Sequence, residues 1–112
     1  MDVTIWHNVQ QDPGGRPTGM MDGYRDGDRM AAVFAFSVPT CEPGQVLEEV
    51  FQEFNVGEGL LAKAYRRHGL RSLSVGDVVA IQPDDLGEPV RFHCARFGWT
   101  LLPAGHQLAG AK

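Results

Sequence analysis

The sequence predicts an α+β domain with a bent, mostly antiparallel sheet or a small half-open barrel of roughly four to six strands, one amphipathic helix and a second, shorter helix. Segments with two-residue alternation occur towards both ends of the chain, and helical periodicity occupies the middle. A chain of 112 residues with 43% hydrophobic side chains can bury one core without disulfides or metal. We expect one globular domain over residues 1–103 and a flexible tail over residues 104–112, which have little to bury.

The N-terminal third predicts two strands joined by a long loop. Val3–Gln10 alternates apolar and polar residues, with Trp6 on the less apolar face. Gln11–Arg29 is rich in Gly, Pro and Asp, which predicts a loop with a short extended piece around Met20. Ala31–Val38 is almost wholly apolar and is typical of a buried central strand. The apolar face predicted for the first strand comprises Val3, Ile5, His7 and Val9.

The middle of the chain predicts two helices. In Pro43–Asn55 one face is apolar and the opposite face is polar, and Asn55 followed by Gly57 favours a left-handed cap. Glu58–His68 predicts a shorter helix that ends at Gly69. The apolar residues of the first helix are Val46, Leu47, Val50, Phe51 and Phe54, and those of the second are Leu60, Leu61, Ala64 and Tyr65.

The C-terminal part predicts a hairpin. Leu73–Gln82 is expected to be an edge strand interrupted by a turn or bulge at Gly76–Asp77, followed by a polar turn at Pro83–Pro89. Val90–Ala95 predicts the return strand, and Trp99–Leu102 predicts a final short one. Since an edge strand can pair with another copy, we expect either a monomer or a homodimer.

Charge is distributed unevenly along the chain, whose formal net charge is −4. Residues 1–60 contain three arginines and ten acidic residues, whereas residues 61–112 contain seven basic and four acidic residues. A basic stretch and an acidic helix face stand out, although either can be an ordinary solvated helix surface. The basic stretch comprises Lys63, Arg66, Arg67 and Arg71, and the acidic face comprises Glu48, Glu49 and Glu53.

Residue patterns typical of catalysis, metal binding or cofactor binding are missing from the sequence. It has no Cys-x-x-Cys or His-Glu-x-x-His spacing, no Gly-x-Ser-x-Gly element and no glycine-rich phosphate loop. We therefore expect no metal, no cofactor and no catalytic residue. The longest apolar run, Ala31–Phe36, is far shorter than a membrane span, and no signal peptide is evident. We expect a cytoplasmic protein in which Cys41 and Cys94 are reduced.

Two C-terminal segments resemble a known family. Arg71–Val79 and Phe97–Pro103 are similar to the core of the YodL-like domain, with Ser72–Val79 and Gly98–Trp99 at matching positions. The chain departs from that pattern at Ala95–Arg96, where the family usually has Asp and Ser. The resemblance implies a small bacterial domain associated with phages, plasmids or other mobile elements, and it implies no particular activity.

These observations lead to three hypotheses about function. The first is a non-enzymatic protein-interaction module that binds a host or mobile-element protein through the basic stretch, the acidic helix face, or the aromatic residues Trp6 and Trp99. The second is a nucleic-acid-binding module with one basic face. The third is a small hydrolase or transferase. The nucleic-acid hypothesis uses Lys63, Arg66, Arg67, Arg71, Arg91 and Arg96, and the enzyme hypothesis uses Ser74, Asp77 and His93.

Overall fold

The computed structural model describes residues 1–39, 42–57, 59–82, 89–103 and 106–111. Its elements in chain order are β1 (Asp2–Asn8), α1 (Gly19–Asp22), β2 (Arg29–Ser37), α2 (Pro43–Val56), α3 (Leu60–Arg67), β3 (Val78–Gln82), β4 (Val90–Ala95), β5 (Gly98–Leu101) and β6 (Ala109–Ala111). The chain forms two compact units. We call Met1–Thr40 with Ser74–Lys112 the sheet unit, and Cys41–Leu73 the helical unit.

The strands form one six-stranded sheet with the order β5-β4-β3-β1-β2-β6. The neighbours from β5 to β2 are antiparallel, and β6 is parallel to β2. The predicted α+β class with a mostly antiparallel sheet is therefore confirmed, and the sheet is open. The register of β1 against β2 shifts between Ile5 and Trp6, as at a β-bulge.

The centre of the sheet lies at β1 and β3. Val3, Ile5 and His7 are buried along one face of β1, as their alternation predicts, whereas Val9 lies beyond the strand and is exposed. All four residues from Val78 to Ile81 are buried, so both faces of β3 are covered, and β3 lies between β1 and β4 in the sheet. The prediction of an edge strand over Leu73–Gln82 was wrong, since regular pairing begins only at Val78 and both sides of β3 are occupied.

The prediction that residues 31–38 form a buried central strand was also wrong. Met30 is the only residue of β2 that is buried, and the strand lies second from the edge of the sheet. Its outer neighbour β6 has three residues, so it pairs only with the first part of β2. Near-continuous apolar character is therefore not sufficient to place a strand at the centre of a sheet.

Two segments differ locally from the sequence prediction. The residues around Met20 form α1, a single helical turn rather than an extended piece, because Asp22 N–H donates to Thr18 O and Gly23 N–H to Gly19 O. Within the expected tail, Ala109–Ala111 forms β6 through main-chain pairing, which needs no large side chains. Residues 83–88 of the predicted polar turn lie outside the described residues.

In the helical unit, α2 is amphipathic as predicted. Its buried residues are Val46, Leu47, Val50 and Phe54, whereas Phe51 is 39% exposed. The predicted left-handed cap was wrong: Gly57 is extended, with φ −73°. A glycine is required there because a Cβ at Gly57 would collide with the main chain of Glu53.

The two helices of this unit are tied to the segment that follows them. Asn55 accepts a hydrogen bond from Leu73 N–H at 2.7 Å and donates from Nδ2 to Leu73 O at 3.2 Å. Tyr65 is fully buried beside Phe54, with ring centroids 4.7 Å apart, and its hydroxyl donates to Arg71 O at 2.6 Å. Among the helices that the structure describes, none has the length and apolar character required to cross a membrane.

Candidate functional site

The exposed side of α3 forms a basic face, which we define as Leu60, Lys63, Arg66 and Arg67. Leu60, Lys63 and Arg67 follow the i, i+3, i+7 spacing that puts side chains on one side of a helix. These residues line a shallow, open depression of about 400 Å³. Leu60 is 85% exposed, so an apolar side chain lies among the three cations.

This face is directed outward because the opposite side of α3 is buried. Ala62 and Tyr65 have no exposed surface, whereas the sequence predicts Leu60 and Leu61 on the buried side. Arg66 donates from its guanidinium to Gly57 O, which holds that side chain near the start of the helix. The structure therefore brings three of the four predicted basic residues together in one depression.

The remaining residues predicted for binding lie elsewhere. Arg71 is exposed and donates to Ser72 O at 3.0 Å, outside the residues that line the depression. Glu48 and Glu49 are exposed on α2. The carboxylate of Glu53 instead lies against Gly57 and Gly59, so the predicted acidic face comprises two exposed carboxylates rather than three.

The two tryptophans are half-buried in the sheet unit. Trp6 packs against the buried cluster of Met30, Val78 and Leu102, so most of its surface contributes to the core. Trp99 is paired with Cys94 in the β4–β5 ladder. The most exposed aromatic side chain among the described residues is Phe97, which lies between β4 and β5 and is 97% exposed. No pattern in the sequence marks this residue as functional.

The turn before β3 contains a buried polar group that we call the Asp77 junction, comprising Asn8, Gly19, Gly76 and Asp77. Asp77 has no exposed surface, and its carboxylate accepts hydrogen bonds from Asn8 N–H and Ser74 N–H, each at 2.9 Å. The side-chain amide of Asn8 donates to Gly76 O at 3.2 Å and to Asp28 at 3.0 Å. These bonds join β1 to the start of β3 and satisfy groups removed from water.

Gly76 is required at this junction for two reasons. Its φ of +95° lies in the region that favours glycine, and a Cβ there would lie 2.8 Å from both Cα and O of Gly19. The residues that carry the YodL-like resemblance around Gly76 and Asp77 therefore have a structural role in this chain. Whether the chain belongs to that family stays a prediction.

The same geometry weakens the enzyme hypothesis. Asp77 cannot contact a substrate, because it is fully buried and its carboxylate oxygens bind main-chain N–H groups. His93 has no hydrogen bond to Asp77 or Ser74, and its buried Nδ1 has no hydrogen-bond partner among the residues that the structure describes. General acid–base catalysis requires such groups within hydrogen-bonding reach of one another or of a shared water.

A second depression lies in the sheet unit, and we call it the Tyr24 cleft. It has a volume of about 240 Å³ and is more enclosed than the basic face. The Tyr24 hydroxyl is hydrogen-bonded to His106 Nε2 at 2.7 Å, and Arg91 donates to His106 O at 3.0 Å. Burial raises the pKa of Tyr24, and the charges of Asp26 and Asp28 add to this effect. The cleft is lined by Asp22, Gly23, Tyr24, Val75, His93, Ala95 and Arg96.

Two ionisable groups of β4 are affected by burial. The pKa of His93 is lowered because desolvation disfavours the imidazolium form. The Cys94 thiol is buried, and burial followed by the charge of Asp77 raises its pKa, which disfavours the reactive thiolate. Cys41 lies outside the described residues.

The tertiary structure decides which residues meet at the cleft. Tyr24 and His106 are 82 residues apart, and no periodicity or spacing in the sequence links them. In the part of the chain that the structure describes, no group of three or more His, Cys, Asp or Glu residues is arranged to hold a metal ion. Comparison with protein-family models, curated proteins and solved structures gives no match.

Proposed function

We propose that this chain is a non-enzymatic protein-interaction module that binds an acidic segment of another protein through the basic face of α3. The observation that carries the proposal is the placement of exposed Leu60 among Lys63, Arg66 and Arg67 in one open depression. Such a surface matches a partner segment in which carboxylates flank an apolar side chain. From the YodL-like resemblance, we propose a host or mobile-element protein as the partner, and we keep the cytoplasm, which the sequence itself predicts, as the proposed location.

The charge distribution favours a protein partner over a nucleic acid. The helical unit contains five acidic and four basic residues, so it lacks the excess of positive charge on which binding along an extended phosphate backbone depends. Arg91, which the nucleic-acid hypothesis requires, donates to His106 O within the sheet unit. The apolar surface of Leu60 contributes to binding a protein side chain and adds little to phosphate contacts.

The test is an affinity capture from lysate of the source cells, with and without nuclease, followed by direct titration of the captured protein. The test variant is Lys63→Gln with Arg67→Gln, and the matched control is Arg16→Gln with Arg29→Gln, which removes the same charge from exposed residues of the sheet unit. We expect one protein to survive nuclease treatment and to bind the control variant normally. We expect the α3 variant to bind it at least tenfold more weakly.

Other outcomes contradict the proposal. Retention that is abolished by nuclease, with a steep loss of binding as salt is added, would support the nucleic-acid hypothesis instead. Equal loss of binding in both double variants would show a general effect of net charge. A captured protein that binds the α3 variant normally would exclude the basic face as the contact.

A further inference from the structure

We propose that the Tyr24 cleft is a separate binding site for a small carboxylate whose apolar or aromatic body packs against Tyr24 and Val75. The site lies within the sheet unit and shares no residue with the basic face, so it is independent of the proposed function. Two polar side chains line the same cleft as these apolar walls: Arg96, which forms no hydrogen bond or ion pair with the described residues, and His93, whose buried Nδ1 has no hydrogen-bond partner among them.

Arg96 supplies the charge complementary to a carboxylate. Its side chain is exposed and forms no hydrogen bond or ion pair with any residue that the structure describes. A guanidinium presents a planar set of N–H donors that matches the two oxygens of a carboxylate.

His93 supplies a neutral hydrogen-bond donor. Its Nδ1 is buried without a partner, so a proton on that atom would lack an acceptor. The favoured neutral tautomer therefore carries its proton on Nε2, the ring nitrogen that is not enclosed. The lowered pKa of His93 agrees with a ring that stays neutral near pH 7. A neutral Nε2–H donates to a carboxylate oxygen without adding a second positive charge.

The acidic residues near the cleft limit the charge of the ligand. Asp22 lines the cleft and forms an ion pair with Arg25 at 3.3 Å, and Asp26 lies 3.8 Å from His106 Nε2 with a side chain that is 90% exposed. These carboxylates repel a doubly charged ligand about twice as strongly as a singly charged one. The cleft thus favours a monoanion over a phosphate group.

The volume and the apolar walls of the cleft limit the size and shape of the part of the ligand that is attached to the carboxylate. At about 240 Å³ the cleft is smaller than the pockets that enclose drug-sized molecules, so it suits a fragment-sized group. The Tyr24 ring is held by its bond to His106 and by a tilted contact with His93, with ring centroids 5.9 Å apart. A flat ring or short aliphatic group can pack against this surface. Such a carboxylate can belong to a free small molecule or to the C-terminal residue of a peptide.

The test is a titration of the full chain with benzoate, in which binding is monitored through the amide chemical shifts in NMR spectra. Two control ligands change the charge: benzamide lacks the negative charge of benzoate, and phenyl phosphate carries a larger one. A short peptide that ends in phenylalanine is compared with the same peptide as its C-terminal amide. We expect benzoate to shift the amides of Gly23 and Ala95, and benzamide and phenyl phosphate to bind at least tenfold more weakly. If the peptide acid binds more tightly than benzoate, the source is a peptide C-terminus. If benzoate binds more tightly, the source is a free carboxylate.

Variants identify the residues responsible. We expect Arg96→Gln to weaken benzoate binding at least tenfold and His93→Phe to weaken it severalfold. Arg16→Gln removes an exposed arginine that does not line the cleft, and it should change binding less than twofold. Equal binding of benzoate and benzamide, normal binding by Arg96→Gln, or no binding of any probe would overturn the proposal.

Discussion

The Asp77 junction and the Tyr24 cleft belong to the same unit but differ in whether their polar groups have hydrogen-bond partners within the chain. At the junction, the Asp77 carboxylate and the Asn8 side chain are buried and bonded to neighbouring groups of the chain. In the cleft, Arg96 forms no hydrogen bond or ion pair with the described residues, and Nε2 of His93 is the ring nitrogen left to donate, because Nδ1 is buried with no partner among those residues. Satisfied polar groups indicate a structural role, whereas unsatisfied ones leave binding capacity for a ligand. Residue type alone does not separate these two cases, since both regions contain ionisable side chains.

The largest expected effect is that of Gly76→Ala, which tests whether the junction is as tightly packed as its geometry indicates. Backbone strain of about 1–2 kcal/mol and crowding of about 1–3 kcal/mol should together lower the free energy of unfolding by about 4 kcal/mol. Gly15→Ala is the matched control: φ is +83°, and nothing lies within 4 Å of the added Cβ. Urea unfolding should show a loss of only about 1–2 kcal/mol for the control. Equal losses would contradict close packing at Gly76.

A somewhat smaller effect is expected for Asp77→Ala. Removing the carboxylate leaves the buried N–H of Asn8 and the part-buried N–H of Ser74 without this acceptor. An unsatisfied buried group costs about 1–3 kcal/mol and a part-buried one less, so we expect a loss of about 3 kcal/mol. The control is Asp12→Ala, because Asp12 also accepts from two main-chain N–H groups, those of Gly14 and Arg16, but at an exposed turn. Water can replace that acceptor, and the loss should stay below about 1 kcal/mol. If urea unfolding gives the reverse order, burial is not what makes the junction stabilising.

The smallest expected effect is on the pH dependence of the free energy of unfolding, to which protonation of His93 contributes. Because burial lowers its pKa below the ordinary 6.5, the unfolded chain binds a proton more readily than the folded chain. The free energy of unfolding should therefore fall as the pH drops through 6.5, with a slope from this group of at most about 1.4 kcal/mol per pH unit. His93→Phe should remove this part of the slope between pH 7.5 and 5.5 in urea unfolding. The control His68→Gln, at an exposed position, should retain this part of the slope. If the free energy of unfolding depends on pH in the same way for the wild type and His93→Phe, His93 is not the group responsible.

Periodicity in the sequence predicted the elements best where burial is one-sided. The apolar stripe of α2 and the alternation of Val3, Ile5 and His7 both correspond to buried faces. The same reasoning failed for β2, because an apolar strand can lie near an edge as well as at the centre. It also placed Leu60 on the buried side of α3, since an eight-residue helix gives too few turns to fix the direction of its face.

The candidate sites were predicted to different extents. Three cations of the basic face were recognised because they are close in sequence on one helix, and helical geometry keeps such neighbours together. The sequence does not predict the cleft as a site, although the enzyme hypothesis uses His93 and the nucleic-acid hypothesis uses Arg96. Tyr24 comes from the loop before β2, and its partner His106 follows β5.

The sequence by itself therefore determined the α+β class, the amphipathic α2 and the cations of α3, because these depend on local spacing along the chain. Only the tertiary structure decided that Asp77 is buried among main-chain donors and that Tyr24 meets His106. The physical reason is that burial and hydrogen-bond satisfaction depend on which distant segments pair, and strand order brings together residues that no local pattern connects.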